Sequence, residues 1–329
     1  MISTLELKNF RGLEHVKFEN LGRANLIIGG NNTGKTSILE ALVLLYGSLE
    51  QVKGLPEEFR NLPKNNEDQE QTFWKLLARN GTFNDLSICG DEDQVIGSSL
   101  SQNWHLALWN RRSDEEIRFV TGESSGEIEV VSGGPGNHKT SVITTHARDP
   151  GDVSELYNQI APLNPLNEDK LELLLRESIE PRLRRLRYAK PSGSKVHLVF
   201  ADLGDGPMLP FTQLGQAFAR TLEIYCEIFA NRPKILLIDE IENGLYYEGM
   251  EDFWKGLMAV LEDQDVQLFA TTHSRECMEA AQKAASAMEG DPLRFLRLDR
   301  RVDDPGKIVA TTFGKEEMQT AMEFNREMR

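Results

Sequence analysis

The sequence predicts an α/β fold with a mainly parallel sheet core, an antiparallel β region and a helical insertion. Three observations carry that expectation. Short apolar runs at 235–238 and 266–270 each precede a stretch with helical spacing of apolar residues. A compact strand at 25–28 opens directly into a glycine- and asparagine-rich loop and then a helical stretch. Over 104–146 apolar residues alternate by twos, the mark of strands with one buried face.

In chain order, Ile2, Leu5 and Leu7 and then Val16 and Phe18 alternate, which reads as a hairpin turning at Arg11-Gly12. From Thr36 onward Ile38, Leu39, Leu42 and Leu45 share one helix face. Residues 50–100 are polar and rich in Glu, Asp, Asn and Gly, and read as an inserted helical or loop segment. Trp104, Leu106 and Leu108, then Ile128 and Val130, alternate, with turns expected at 124–126 and 133–137. Leu171, Leu174, Leu175 and Ile179 mark a helical stretch over 152–180, and 195–200 reads as a strand. Phe218, Leu222, Tyr225 and Phe229 line a helix over 215–230, and Met250, Phe253, Trp254, Leu257 and Leu261 line the next. A further helix is expected over 275–288, before a helical tail.

Composition sets outer bounds. With 40% hydrophobic and 27% charged residues, the chain lies outside the disordered, collagen-like and disulfide-scaffold classes. Against 37 Lys+Arg stand 52 Asp+Glu, a net charge of −15, which argues against a broadly basic surface for constitutive nucleic-acid binding. Cys89, Cys226 and Cys277 are far apart and form no C-x-x-C pair, which points to a reducing compartment. The first residues lack the basic-then-apolar plan of a signal peptide. The apolar runs at 41–46 and 235–238 fall far short of the roughly 20 residues that span a bilayer. The expectation is a soluble, cytoplasmic protein without membrane contact.

Gly29-Gly30-Asn31-Asn32-Thr33-Gly34-Lys35-Thr36 fits the phosphate-loop pattern G-x-x-x-x-G-K-[ST] at every fixed position, between a strand and a helix. Glycines let backbone N–H groups turn toward a phosphate, and the following helix adds its positive dipole end. Lys35 supplies a point charge for the β- and γ-phosphates, and the Thr36 hydroxyl can take one Mg²⁺ position. The run Ile235–Ile238 ends in Asp239 and Glu240, which places two carboxylates at the carboxyl edge of a buried strand. Asp239 suits a Mg²⁺-bound water, and Glu240 suits a general base for an attacking water. Thr271-Thr272-His273-Ser274 follows another strand, where a histidine can reach a γ-phosphate. A second Thr-Thr-His at 144–146 lacks a visible strand–helix frame and reads as coincidence. Residues 210–217 open a helix whose N-terminus could offer N–H groups to a second nucleotide. No [NT]-K-x-D guanine motif is present, which disfavours a GTPase.

The order Asn9-Phe10-Arg11, phosphate loop, helix opening at 210–217, Asp239-Glu240 and Thr271-Thr272-His273 resembles the ABC-type ATPase heads of the RecF, SMC and OLD group. It is most similar to the stand-alone ATPases related to OLD proteins, where phrases like those at 237–245 and 269–274 recur. The likeness is sharpest over 1–47 and 208–280, loose over 150–200 and nearly absent over 50–103. It implies one P-loop NTPase head of ABC-ATPase type spanning 1–329. Its nucleotide-binding core would come from 1–47 and 195–329, and 48–194 would be an inserted helical and antiparallel β region.

The resemblance further implies a composite site, in which two heads sandwich two ATP molecules. Gly29, Gly30, Asn31, Asn32, Thr33, Gly34, Lys35, Thr36, Ser37, Arg11 and Asp239 would contact ATP in cis, with Thr36 and Asp239 on Mg²⁺. Lys35, Glu240 and His273 would be catalytic, Thr212 and Gly215 would act in trans, and Asn243 would lie between protomers. Ala217 stands where the family signature usually has glycine, and Tyr246 where relatives often have histidine. The position of the glutamine of the lobe-connecting loop stays open.

Two basic clusters stand out. Arg182, Arg184, Arg185 and Arg187 could line a DNA path, although a solvated helix face paired with acids is the preferred reading. Arg294, Arg297, Arg300 and Arg301 could meet nucleic acid or an acidic partner. The leading functional expectation is an ATP-driven homodimeric switch controlling a separate effector. By resemblance that effector is a nuclease such as a Toprim protein, in bacterial anti-phage defence. The alternatives are a RecF-like DNA-binding repair ATPase and a nucleotide-gated scaffold with little hydrolysis.

Overall fold

The computed structural model describes residues 1–60, 62, 72–79, 83–91, 93–100, 103–110, 115–123, 128–129, 140–191, 193, 195–204 and 206–323. The chain begins with the hairpin β1 (Leu5–Phe10) and β2 (Leu13–Phe18), then β3 (Ala24–Gly29), α1 (Lys35–Tyr46) and α2 (Leu49–Arg60). Strands β4 (Ser87–Cys89), β5 (Asp93–Leu100), β6 (Asn103–Asn110), β7 (Glu115–Glu123), β8 (Ile128–Glu129) and β9 (Thr140–Ile143) follow. Next come α3 (Pro150–Leu163), α4 (Pro165–Ser178), β10 (Arg185–Ala189), β11 (Leu198–Asp202) and β12 (Leu209–Pro210). The last part holds α5 (Gln216–Cys226), β13 (Ile235–Ile238), α6 (Met250–Asp263), β14 (Gln267–Thr271), α7 (Arg275–Ser286), β15 (Leu293–Arg300), β16 (Ile308–Phe313) and α8 (Lys315–Glu323).

Among the described residues, one sheet has the strand order β16-β15-β3-β14-β13-β9. Every pair in it is parallel except β15 with β16. Parallel strands need both faces covered, and side-chain alternation sends each strand into two cores. Leu26, Ile28, Leu236, Ile238, Leu268 and Ala270 face the helical side, packed with Phe218, Leu222, Trp254 and Leu257. Ile27, Ile235, Leu237, Phe269, Leu296 and Leu298 face the other side. There they join α1 and the N-terminal hairpin through Leu39, Leu42, Leu5 and Phe18. Helix α1 is therefore apolar nearly all round, because it lies between two sheets.

The second sheet is antiparallel, in the order β2-β1-β4-β5-β6-β7-β8. It corrects the reading of 50–100. Helix α2 occupies 49–60 as a helical segment should, but β4 and β5 are strands, with Ile88 and Val95 fully buried. Their alternation is too short, between polar neighbours, to stand out before pairing with β1 is known. The Arg182–Arg187 stretch also departs from expectation. It is a turn running into β10, which pairs with β11, and not a helix face. The Thr-Thr-His at 144–146 does have a strand–helix frame, since β9 runs parallel to β13 and α3 begins at Pro150. The turns expected at 124–126 and 133–137, and the chain beyond 323, lie outside the described residues. No helix among the described residues is long and apolar enough to cross a membrane.

Gln267, fully buried at the start of β14, ties the chain's first residues to the parallel sheet. Its Nε2 donates to the carbonyls of Ile2 (2.9 Å) and Gly22 (2.8 Å), and its Oε1 accepts the Ile2 N–H at 2.8 Å. Gln267→Leu orphans these buried groups and should lower the unfolding free energy by about 2–3 kcal/mol, at roughly 1 kcal/mol per bond. Urea denaturation with an unchanged m-value checks this, and an unchanged midpoint would refute the clamp.

Candidate functional site

β3 ends at Gly29, and the chain turns through 30–34 before α1 starts at Lys35. The turn needs backbone angles that side chains resist, with φ of +145° at Gly29, +57° at Asn32 and +97° at Gly34. A Cβ at Gly29 would stand 2.3 Å from the Leu298 carbonyl oxygen, so only glycine fits there. Gly34 provides no side-chain cap, so the helix N-terminus offers its first N–H groups and positive dipole end. Thr33 Oγ1 donates to the Gly30 carbonyl at 2.9 Å, and Arg300 Nη2 braces the loop from β15 by donating to the Asn32 carbonyl at 2.9 Å. Lys35 Nζ donates to the carbonyls of Gly29 and Gly30, each at 2.9 Å. Burial lowers its pKa to about 8, while the charges of Asp239, Glu240 and Glu242 pull the other way.

The adjoining edge is acidic. β13 is buried along its whole length and runs into Asp239 and Glu240. Thr271, the last residue of β14, donates its hydroxyl to Asp239 Oδ1 at 2.6 Å and accepts the Glu240 N–H at 2.8 Å. Thr36 Oγ1 lies 3.4 Å from both carboxylate oxygens of Asp239. Burial raises the Asp239 pKa, and the Thr271 hydrogen bond is the chief opposing effect. A hydroxyl beside a carboxylate is a hard-oxygen donor set that suits Mg²⁺. Among the described residues no group of three or more His, Cys, Asp or Glu could hold a metal alone. Phosphate oxygens and water would have to complete the shell.

Glu240 extends beyond that pair. Asn243 Nδ2 donates to its Oε2 at 3.1 Å, and His273 Nε2 lies 3.9 Å from its Oε1. The backbone N–H of His273 donates to Glu242 Oε1 at 2.8 Å, which fixes the loop after β14. The Glu240 and His273 side chains are 38% and 41% exposed, so both are accessible to a ligand.

A cavity of about 1080 Å³ runs past the loop, slightly above the roughly 300–1,000 Å³ of ordinary ligand pockets. Residues 31–37, Arg11, Arg60, Phe73, Arg79, His273 and Arg300 line it. Glu40 of α1 is fully buried between two arginines, Arg11 Nε at 3.0 Å and Arg60 Nε at 2.7 Å. Arg60 Nη2 also reaches Ser37 Oγ at 3.4 Å, and the Arg11 guanidinium lies 4.1 Å over the Phe73 ring.

Lys35, Thr36, Asp239, Glu240, Asn243 and His273 thus come together at one sheet edge, and Arg11 and Ser37 line the adjoining cavity. Thr212 and Gly215 do not join them. They are exposed in the turn that leads into α5, where Gly215 has φ of +94° and offers no side-chain cap. The Gly244 position packs against Gln216 of α5, so the loop after Glu240 touches that helix start. The sequence reading did not single out Arg60, Phe73 or Glu40. A glutamate inside an otherwise apolar helix was the available signal, because a buried carboxylate requires cationic partners. Arg300, of the second basic cluster, is exposed and also braces the phosphate loop.

Residues 24–279 match the family described as "AAA domain, putative AbiEii toxin, Type IV TA system". An "ATP/GTP phosphatase" of Helicobacter pylori is 24% identical over 326 residues, covering 85% of this chain and 87% of that protein. A DNA replication and repair protein RecF of Tropheryma whipplei is 28% identical over 147 residues, 42% of this chain and 36% of that protein. Among solved structures, the SMC head domain of Thermotoga maritima is similar with a TM-score of 0.51, at 12% identity over 95% of this chain and 98% of that one. A structure described as an SmcHead bound to the C-winged helix domain of ScpA gives a TM-score of 0.52, at 12% identity over 98% of this chain and 99% of that one. The expected ABC-type head of the RecF and SMC group, and with it the fold class, is borne out.

The lowered pKa of Lys35 leads to a measurable consequence. A polyanion seated on the loop restores the ammonium, so binding at pH 8 should take up about half a proton. Nucleotide titrations in buffers of different ionisation enthalpy check this. Uptake should fade as pH falls to 6.5, where Lys35 is already charged, and buffer-independent heats at pH 8 would contradict it.

Proposed function

The chain belongs to the family of AAA domains described as putative AbiEii toxins of type IV toxin–antitoxin systems, and from that membership we propose an ATP-hydrolysing switch whose two copies close around ATP and which controls a separate effector. The observation that carries the reading is the meeting of Lys35, Thr36, Asp239 and Glu240 at one sheet edge. In this reading Lys35 leaves the Gly29 and Gly30 carbonyls for the β- and γ-phosphates. Thr36 and Asp239 would hold Mg²⁺, which would neutralise phosphate charge. Glu240 orients the attacking water and accepts its proton, with Asn243 fixing one carboxylate oxygen and His273 on the side of the other. Arg11, Arg60 and Phe73 wall the cavity beside the phosphate loop.

Dimer closure is supported by the α5 N-terminus. Thr212 and Gly215 are exposed and outside the cis cavity, and the uncapped helix start offers N–H groups to a partner's nucleotide. ATP would join the two halves, and hydrolysis would release them. Effector control rests on the net charge of −15 and on the local pairing of four of the eight arginines in the two basic clusters. Arg182 binds Glu180, Arg294 binds Asp291, Arg297 binds Asp299 and Arg301 binds Asp303. A DNA-acting partner, such as a Toprim-type nuclease in anti-phage defence, fits this surface better than direct clamping.

Two variants test the reading. Lys35→Ala should weaken ATP binding by at least about a hundredfold in calorimetry, through loss of a charge-assisted phosphate contact. Unchanged affinity would remove the phosphate-loop assignment. Glu240→Gln should keep ATP affinity and shift size-exclusion elution to a dimer only with ATP, whereas a monomer in both conditions would end the composite-site model.

A further inference from the structure

Glu240 holds a φ of +48°, the left-handed region that a non-glycine residue rarely occupies. Such a conformation persists only where neighbouring structure fixes it, and here both ends of one peptide group are held. The Asp239 carbonyl oxygen accepts a hydrogen bond from Arg220 Nη2 of α5 at 3.3 Å. The N–H of the same peptide, that of Glu240, donates to Thr271 Oγ1 of β14 at 2.8 Å. The next residue is tied as well, since the Ile241 N–H donates to the Thr271 carbonyl at 3.0 Å. Rotating this peptide would break the bonds to α5 and β14 together.

The orientation of Arg220 is itself determined by buried charge. It is 8% exposed, and its other arm, Nη1, donates to Glu223 Oε2 at 3.2 Å. Glu223 also faces Arg148 at 3.6 Å, whose Nη1 binds Glu227 Oε2 at 2.6 Å. An ion pair with Glu223 would require only one cationic group near that carboxylate. The guanidinium serves the two with separate nitrogens, Nη1 on Glu223 and Nη2 on the Asp239 carbonyl, in one fixed plane.

We propose that Arg220 is a positioning residue which, with Thr271, locks the Asp239–Glu240 peptide and so aims the Glu240 carboxylate at the water it activates. This rests on the reading of Glu240 as general base. Arg220 touches no nucleotide atom in this account, so it acts on turnover and leaves ATP affinity alone. Thr271 acts on the same peptide from its N–H side, and through Asp239 also on the metal.

The test uses the full-length protein. Arg220→Lys keeps a cation beside Glu223 and loses the separate Nη2 arm that reaches the Asp239 carbonyl. It should lower kcat for ATP hydrolysis at least tenfold, leave the ATP dissociation constant within twofold, and speed hydrogen exchange of the Glu240 amide at least tenfold. Thr271→Val should give the same rise in exchange, and Thr271→Ser should restore protection. In a Glu240→Gln background, Arg220→Lys should cause no further loss of hydrolysis. Unchanged Glu240 exchange in Arg220→Lys, or a loss that persists undiminished in the Glu240→Gln background, would overturn the proposal. Wild-type turnover by Glu240→Gln alone would instead overturn the general-base reading, and the exchange measurement would still decide whether the peptide is locked.

Discussion

Parallel pairing of β14 with β3 on one side and β13 on the other brings the phosphate loop and the two carboxylates to the same edge. Leu268 pairs with Ala24 and with Leu236, and the register holds to Ile27 and Ile238 at the carboxyl ends. Thr36 and Asp239 are 203 residues apart in sequence and 3.4 Å apart in space. A one-residue slip of either strand would send its side chains to the opposite core and draw Asp239 away from Thr271. The register is protected because both faces of the sheet are filled, by α1 on one side and by α5, α6 and α7 on the other. Site geometry is therefore a consequence of packing along the whole sheet.

The electrostatics follow from that convergence. Three acidic side chains, Asp239, Glu240 and Glu242, influence one buried lysine. Burial still wins at Lys35 and lowers its pKa, and burial also raises that of Asp239. Each group is thus less strongly ionised than it would be in water, a condition that a phosphate chain and a cation would relieve together. Elsewhere, buried carboxylates are paired inside the protein. Glu40 lies between Arg11 and Arg60, and Glu223 between Arg148 and Arg220. Those pairs use arginine to hold elements in place, which leaves fewer basic side chains free for an extended polyanion.

The parts of the site that could be read from the sequence are those whose chemistry imposes a local spacing. The eight residues from Gly29 to Thr36 must be contiguous to wrap a phosphate, and Asp239-Glu240 must directly follow an apolar strand. The N-terminal hairpin and the β/α alternation after 215 were legible for the same reason, because their periodicity is local. What could not be read depends on pairing across long distances. Ile88 and Val95 are recognisable as core only once β4 and β5 lie beside β1. Thr140–Ile143 joins the parallel sheet through Ile235–Ile238, so the Thr-Thr-His after it gained a frame that no local pattern announced. Arg60 and Arg220 have unremarkable sequence neighbours, and their places follow from the carboxylates and carbonyl they meet.

The central claim is that this edge seats a nucleoside triphosphate with its phosphates on the loop. It is tested most directly by a crystal structure of the Glu240→Gln protein with ATP and Mg²⁺. The account predicts that Lys35 Nζ has left the Gly29 and Gly30 carbonyls for the β- and γ-phosphates, with Mg²⁺ held by Thr36 and Asp239. A nucleotide bound elsewhere, with Lys35 still on those two carbonyls, would contradict it.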